Sequence, residues 1–522
     1  MLKRLFFTTV LLNFLCTSAL AQTQDVLPAV DEAEKKVDRP DLRPILEEKI
    51  KYLPVDPEFW AEIEKDQATG NFTAMVVRGG NRLNERGSDT DYGAEGLLAA
   101  GRGLLKLGKS FAATQVFLAL IQQRMGTEIG IEALRGIDSI MQTFPYDEVE
   151  LAEELLWETE FGPLDLKLES FVSFHRSMRN FIFGFNDWGF KEQARINKTT
   201  YWGHKLEYLS AIGEVARNRS DEALERFEKI INTADEIGNL KEWARLQKAR
   251  LIFEKKDYEA ADALYSTIRT LPQREMARVI LERAWTKYYL QDYSKSLGLL
   301  SSLEAPFYRV ATNHEKFILR MIIYRDLCHY ESVADQAKEF SQRYASSFTA
   351  IRGRGSLFKD DEIARMTLIK HPLQAMADFV NLLRSEREWL VDFGFDDFEF
   401  MQKILDSYDL KEKEMIQRIE ARAEPHAREI ANRLLDAEEQ VAFIDYSAKL
   451  DALRVLRSGS GRKYESEKIS YLRFDRIFWP QEGEFWFDEA DDLKVLISSR
   501  CDQNTMPNVV PETNEEEFEE FE

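Results

Sequence analysis

A chain in which small and large apolar residues recur at a fixed step of a few tens of residues cannot bury them around one centre. Each unit must cover its face with the next, so the period decides the fold before any single residue does. The clearest unit here runs from Glu242 to Pro272. Trp243, Leu246, Ala249, Leu251 and Phe253 fall at helical spacing, a polar turn follows at Glu254–Asp257, and Tyr258, Ala261, Leu264, Tyr265 and Ile268 line a second helix. The offsets return in Tyr293, Ser296, Leu300 and Leu303, with Ala284 in the place of Ala249, and again in Tyr330, Val333, Ala337 and Phe340. Upstream, Ala223, Phe227 and Ile230 repeat them with Ala211 before, and Phe111, Thr114, Leu118 and Ile121 follow the pattern more loosely. The marker positions Thr114, Val149, Ala223, Ala261, Ser296 and Val333 lie near multiples of a 34-to-38-residue step, with a degenerate unit around Trp188 filling the one gap.

An aromatic at the turn, a small residue three later, an apolar residue four later and another three beyond resembles the tetratricopeptide repeat. In that family the small residues let paired helices approach and the large ones fill the space against the next pair. The resemblance implies an all-α fold, a right-handed helical solenoid of about seven pairs, and a protein-binding scaffold. Its packing positions would be Ala211, Ala223, Phe227, Ala249, Tyr258, Ala261, Tyr265, Ala284, Tyr293, Leu300 and Tyr330. Partner contact would come from first-helix residues off the packing stripe, such as Lys248, Glu282 and Lys287.

The repeats are expected over 94–355. Before them, residues 22–93 read as a leader with Pro28, Pro40 and Pro44, then a loop carrying Gly70, Gly79, Gly80, Gly87 and Gly93. After them, two apolar stripes appear. One is Phe400, Ile404, Tyr408, Met415 and Ile419; the other, past Pro425, is Ile430, Leu434, Ala437, Val441, Ile444 and Ala448. The spacing predicts a long-helix hairpin over 356–460 joined at Pro425, with self-association between copies as the alternative use of the second stripe. Residues 461–500 hold a dense aromatic run, Tyr471 to Glu489, that reads as a terminal cap or as a docking surface. Its Trp479-Pro480 and Gly483-Glu484-Phe485-Trp486 strings are similar to C-terminal segments of periplasmic tetratricopeptide proteins of delta-proteobacterial envelope and gliding complexes. Residues 501–522 read as a disordered acidic tail.

Lys3 and Arg4, the apolar run Leu5–Leu15 and Ala19-Leu20-Ala21 form a signal peptide cleaved after Ala21, so the chain is expected in the periplasm. Leu15 before Cys16 does not suit lipidation. Cleavage takes the formal charge from −22 to −24, which disfavours nucleic acid and anionic lipid as partners. Cys328 and Cys501 remain, too far apart in sequence to make a framework; both read as free, with a bridge left open.

No motif offers chemistry. Gly103-Leu-Leu-Lys-Leu-Gly108-Lys109-Ser110 spells a phosphate loop, but what precedes it is helix-like, whereas the loop needs a strand before it. Asp89-Thr90-Asp91-Tyr92-Gly93 starts like a calcium loop and then departs from it at Ala100. The six histidines have no metal-ligand spacing. A soluble lytic transglycosylase, which also combines an exported helical superhelix with a C-terminal domain, is the enzyme alternative. It would need its glutamate in a Glu-Ser pair, and Glu169-Ser170 and Glu465-Ser466 lack the surrounding helix motif. The sequence therefore predicts a non-enzymatic scaffold without catalytic, cofactor or metal residues. Its partner would be a protein or peptide of the cell envelope, and it would have no stable membrane insertion.

Overall fold

The computed structural model describes residues 54–143, 150, 155–157, 159–234, 239–305, 308, 314–353, 355–369, 372–395, 398–457 and 493–501. The signal peptide, the leader through residue 53, the aromatic run from Tyr471 to Glu489 and the tail beyond Cys501 lie outside these residues. Among the described residues the regular structure is all helical, with no strand. In chain order the helices are α1 (Pro57–Ala68), α2 (Phe72–Arg86), α3 (Asp91–Lys106), α4 (Ser110–Gln123), α5 (Glu128–Met141), α6 (Leu166–Ile182), α7 (Asn186–Gln193), α8 (Tyr201–Ala216), α9 (Ser220–Thr233) and α10 (Leu240–Glu254). They continue as α11 (Tyr258–Tyr265), α12 (Gln273–Tyr289), α13 (Tyr293–Ser302), α14 (Glu315–Asp326), α15 (Tyr330–Arg343), α16 (Ala345–Arg352), α17 (Asp361–Leu368), α18 (Leu373–Asp392) and α19 (Glu399–Arg457).

The sequence period has a backbone counterpart. Between the paired helices one residue enters the left-handed region, at Gly70, Gly108, Gly184, Asn218, Lys256, Gln291 and Cys328, with φ from 58° to 78°. The next residue in each case donates its N–H to the carbonyl five positions back, at 2.7–3.3 Å: Asn71 to Asp66, Lys109 to Leu104, Phe185 to Asn180, Arg219 to Glu214, Asp257 to Ile252, Asp292 to Lys287 and His329 to Tyr324. That bond satisfies a carbonyl the helix end leaves open and turns the chain back for the second helix. The turns are 34 to 38 residues apart, except that Gly108 to Gly184 is a double step. The markers Ala223, Ala261, Ser296 and Val333 lie five residues past their turns and Thr114 six, and all are fully buried.

First helices have their own repeated start. Thr90, Thr127 and Thr200 cap α3, α5 and α8 by accepting from the N–H of Gly93, Gly130 and Gly203. The Asp89–Gly93 string is thus a helix cap.

Two compact units divide the chain. The first comprises residues 1–272 and 364–426, the second 273–363 and 427–522. In the first, one core joins α1–α6 and Trp202 of α8 to Phe379, Leu383 and Leu390 of α18 and to Met401, Leu405 and Tyr408 of α19. In the second, Phe317, Phe340, Tyr344 and Phe348 form an aromatic chain with neighbouring centroids 5.0–6.5 Å apart. Arg325 and Arg352 reach Asp451 and Glu438 of α19.

Three expectations change. The loop expected over 70–93 is helix at Phe72–Arg86 and from Asp91 onward. Glycines there serve close approach as well as turning: a Cβ on Gly79 would stand 2.4 Å from the Gly96 carbonyl oxygen of α3. The hairpin joined at Pro425 is one helix, α19, because the buried row Met415, Ala423, Ala427, Ile430, Leu434 runs through the proline unbroken. Burial along that row offsets the ~3 kcal/mol a mid-helix proline costs. Cys328 and Cys501 are joined in a disulfide, so neither is free.

Candidate functional site

The packing positions read from the sequence fall in helix interfaces. Ala211, Ala223 and Phe227 share one buried cluster with Ile230 and Leu251. Ala249, Ala261, Tyr265, Ala284 and Leu300 are buried, while Tyr258, Tyr293 and Tyr330 at the second-helix starts are half-buried. Ser296 Oγ donates to the Ala284 carbonyl at 2.7 Å, so the small marker residue also ties its helix to the first one of the pair. The residues expected to face a partner also have contacts within the chain. Lys248 pairs with Glu228, Glu282 is buried, and Lys287 lies 3.8 Å from Asp292.

The phosphate-loop string ends at a helix start that carries an anion of the chain's own. Residues 91–106 before it are α3, and α4 begins at Ser110 without a side-chain cap from Lys109. The Ser110 and Phe111 amides donate to the two carboxylate oxygens of Glu386 on α18, at 2.9 and 3.1 Å. Tyr408 on α19 donates its hydroxyl to the same carboxylate at 2.6 Å and accepts from the Ala112 amide at 3.1 Å. Open amides at a helix start and the positive end of its dipole attract negative charge, and here Glu386 supplies it. Burial raises the Glu386 carboxyl above its ordinary range, against the pull of Tyr408 and the two amides. Glu169 and Ser170 also have partners within the chain. Glu169 pairs with Arg195 at 2.5 Å, and Ser170 bonds the Leu166 carbonyl and the Asn197 amide.

Several other buried polar groups have partners. Trp202 Nε1 donates to Asp138 at 2.6 Å, and His175 Nδ1 lies 2.9 Å from the Phe171 carbonyl beside Phe174 and Trp202. In the second unit Lys316, 1 % exposed, reaches Glu304 at 2.7 Å, and Arg320 reaches the same oxygen at 3.0 Å. Burial pushes Lys316 down to about 8 despite Glu304. Burial also works against the Glu304 carboxylate, but Lys316 and Arg320 outweigh it and hold that group below its ordinary range. Among the described residues no cluster of His, Cys, Asp or Glu is arranged to hold a metal ion, and no helix is long and apolar enough to cross a membrane.

Polypeptide itself occupies one surface. Residues 493–501 run without helical structure over α13 and the α14–α15 turn. Val495 donates its N–H to the Ser294 carbonyl at 3.0 Å, and Ser294 Oγ donates back to the Val495 carbonyl at 2.6 Å. The Arg500 amide meets the Leu327 carbonyl at 2.9 Å, and His329 Nε2 lies 2.7 Å from the Ser498 carbonyl. The bridge from Cys501 to Cys328 ends the segment. Protein-family models, curated proteins and solved structures all return no match to the chain.

The apolar seam expected to offer self-association is used up inside the second unit, where Ile430, Leu434, Ala437, Val441, Ile444 and Ala448 are buried. A different row on α19, Phe443, Tyr446, Leu450 and Leu453, is exposed. So is the tip between α6 and α7, with Phe183, Phe185 and Trp188.

Proposed function

We propose that this protein is an exported, non-enzymatic interaction scaffold of tetratricopeptide type that serves a cell-envelope complex and binds a protein or peptide partner. The observation that carries the reading is the recurrence of one left-handed turn with one carbonyl-closing bond across seven described helix pairs. A chain that spends its sequence on repeating the same joint builds surface in proportion to its length, which suits binding more than it suits a single reaction centre. Stacking of the pairs into a right-handed solenoid belongs to the same reading. The Cys328–Cys501 bridge supports export, since such bonds persist in oxidising compartments. So does the hydrophobic run behind Lys3 and Arg4, which suits the periplasm of a Gram-negative cell.

The test is crosslinking capture from envelope extracts, run beside a peptidoglycan binding and hydrolysis assay on the full-length mature chain. Retention of a defined protein partner without release of soluble wall fragments is expected. Release of such fragments would replace the scaffold reading with the transglycosylase one.

A further inference from the structure

The segment 493–501 is held largely through its own backbone. The hydrogen bonds that Val495, Ser498 and Arg500 make to α13 and the α14–α15 turn use the main chain of the segment, while Leu493, Val495 and Ile497 are half-buried and the Cys501 sulfur lies 3.4 Å from the Asp326 carbonyl oxygen. The side chains of Lys494, Leu496, Ser498 and Ser499 are exposed. On the receiving side the surface is cut to fit a passing backbone. A Cβ on Gly298 would come 1.9 Å from the Leu493 carbonyl oxygen, so only glycine lets the segment lie there. Ser294 presents both a carbonyl and a hydroxyl to one residue, as an adjacent strand would. Recognition through main-chain atoms accepts many sequences, because every extended peptide carries the same groups. What singles out this segment is the covalent bond at its end, joining cysteines that are both half-buried and within reach of solvent.

We propose that Ser294, Gly298 and the Leu327–His329 turn form a binding site for an extended polypeptide segment, filled in cis by residues 493–501 and opened by reduction of Cys328–Cys501. The proposal rests on the scaffold reading and adds to it the class of ligand and a switch. Opening requires a dithiol reductant. One of its thiolates attacks a sulfur of the bridge and forms a mixed disulfide, and its second thiol displaces the protein sulfur. Two electrons pass from the dithiol to the bridge, the two cysteines take up two protons as thiols, and the reductant leaves as a disulfide. While the bridge is closed, the tethered segment is present at a high effective concentration and excludes a competitor.

The experiment uses the full-length mature protein and a fluorescent peptide with the sequence of residues 493–500, followed by anisotropy. Oxidised wild type is expected not to bind it. Wild type reduced with dithiothreitol and the oxidised C501S variant are expected to bind saturably, at least tenfold more tightly than oxidised wild type. G298A placed in the C501S background is expected to abolish binding, while circular dichroism stays unchanged because alanine favours the helix. Equal binding by oxidised and reduced wild type would overturn the proposal, as would no binding by either open form or full binding by the G298A/C501S chain. Loss of the fold in both open forms would also contradict a latch that releases only this segment. Failure of the peptide to bind while envelope capture still yields a partner would remove this site and leave the scaffold reading standing.

Discussion

Two late segments of the chain close onto early helices, and they do so by opposite means. In the first unit, Glu386 reaches α4 across 276 residues of sequence and is buried there, its carboxylate shared among two amides and Tyr408. In the second, residues 493–501 reach α13 and the α14–α15 turn while staying half-exposed, and a disulfide fixes them. The first closure is made of groups that each need the others, so it cannot open without stranding charge and amides in the core. The second is made of a few main-chain bonds at the surface, and it can open at one chemical event. The same helix–turn–helix joint thus supports a permanent closure and a releasable one, depending on whether the incoming group is buried.

The largest effect should come from the ion cluster in which Glu304, just past α13, meets Lys316 and Arg320 of α14. Glu304→Ala leaves Lys316 and Arg320 without their carboxylate and should destabilise the second unit by about 3 kcal/mol in urea unfolding. The pH dependence has two signs. Folding holds Glu304 below its ordinary value near 4.5, so its contribution is complete above that pH and fades as pH falls further. Lys316 is pushed down to about 8 from an ordinary 10.5, so the unfolded chain binds more protons between those values. Stability should therefore rise across that window, and Lys316→Met should flatten the rise.

The permanent closure is tested next. Glu386→Ala should cost about 2–3 kcal/mol, since it leaves two amides and a tyrosine hydroxyl unsatisfied in the core. Glu386→Gln keeps an acceptor without the buried charge and should cost much less at neutral pH. Because burial raises this carboxyl, its contribution weakens as pH rises through the folded value. A glutamine variant that loses as much as alanine would show that both carboxylate oxygens are needed as acceptors to hold α4.

The smallest effects concern the joint that both closures share. Thr200→Ala removes the cap of α8 and should cost about 1 kcal/mol. Lys256→Gly relieves a side chain held at φ 65° and should stabilise the first unit by about 0.5 kcal/mol, visible as a small rise in thermal midpoint.

Much of the joint was legible in the sequence. The helical period, the buried markers at Ala223, Ala261, Ser296 and Val333, and the absence of a strand before Gly103 all follow from residue type and spacing. The left-handed positions were not, because Asn218, Lys256, Gln291 and Cys328 share no residue type and are forced there by the bonds of the next residue. The Thr-x-x-Gly caps at Thr90, Thr127 and Thr200 did carry a signal in residue type and spacing. Pro425 misled because a local breaker was outweighed by a buried row that extends on both sides of it. Neither closure could be read, since Glu386 and Cys501 meet partners 276 and 173 residues away in sequence, with no local pattern to mark them.

Amide hydrogen exchange of the full-length protein, read on peptides covering 108–113 and 493–501 with and without a dithiol, compares the two closures directly. The predicted result is that Val495 and Arg500 lose protection on reduction while Ser110 and Phe111 keep theirs. Protection unchanged at both, or lost at both together, would contradict a releasable closure beside a permanent one.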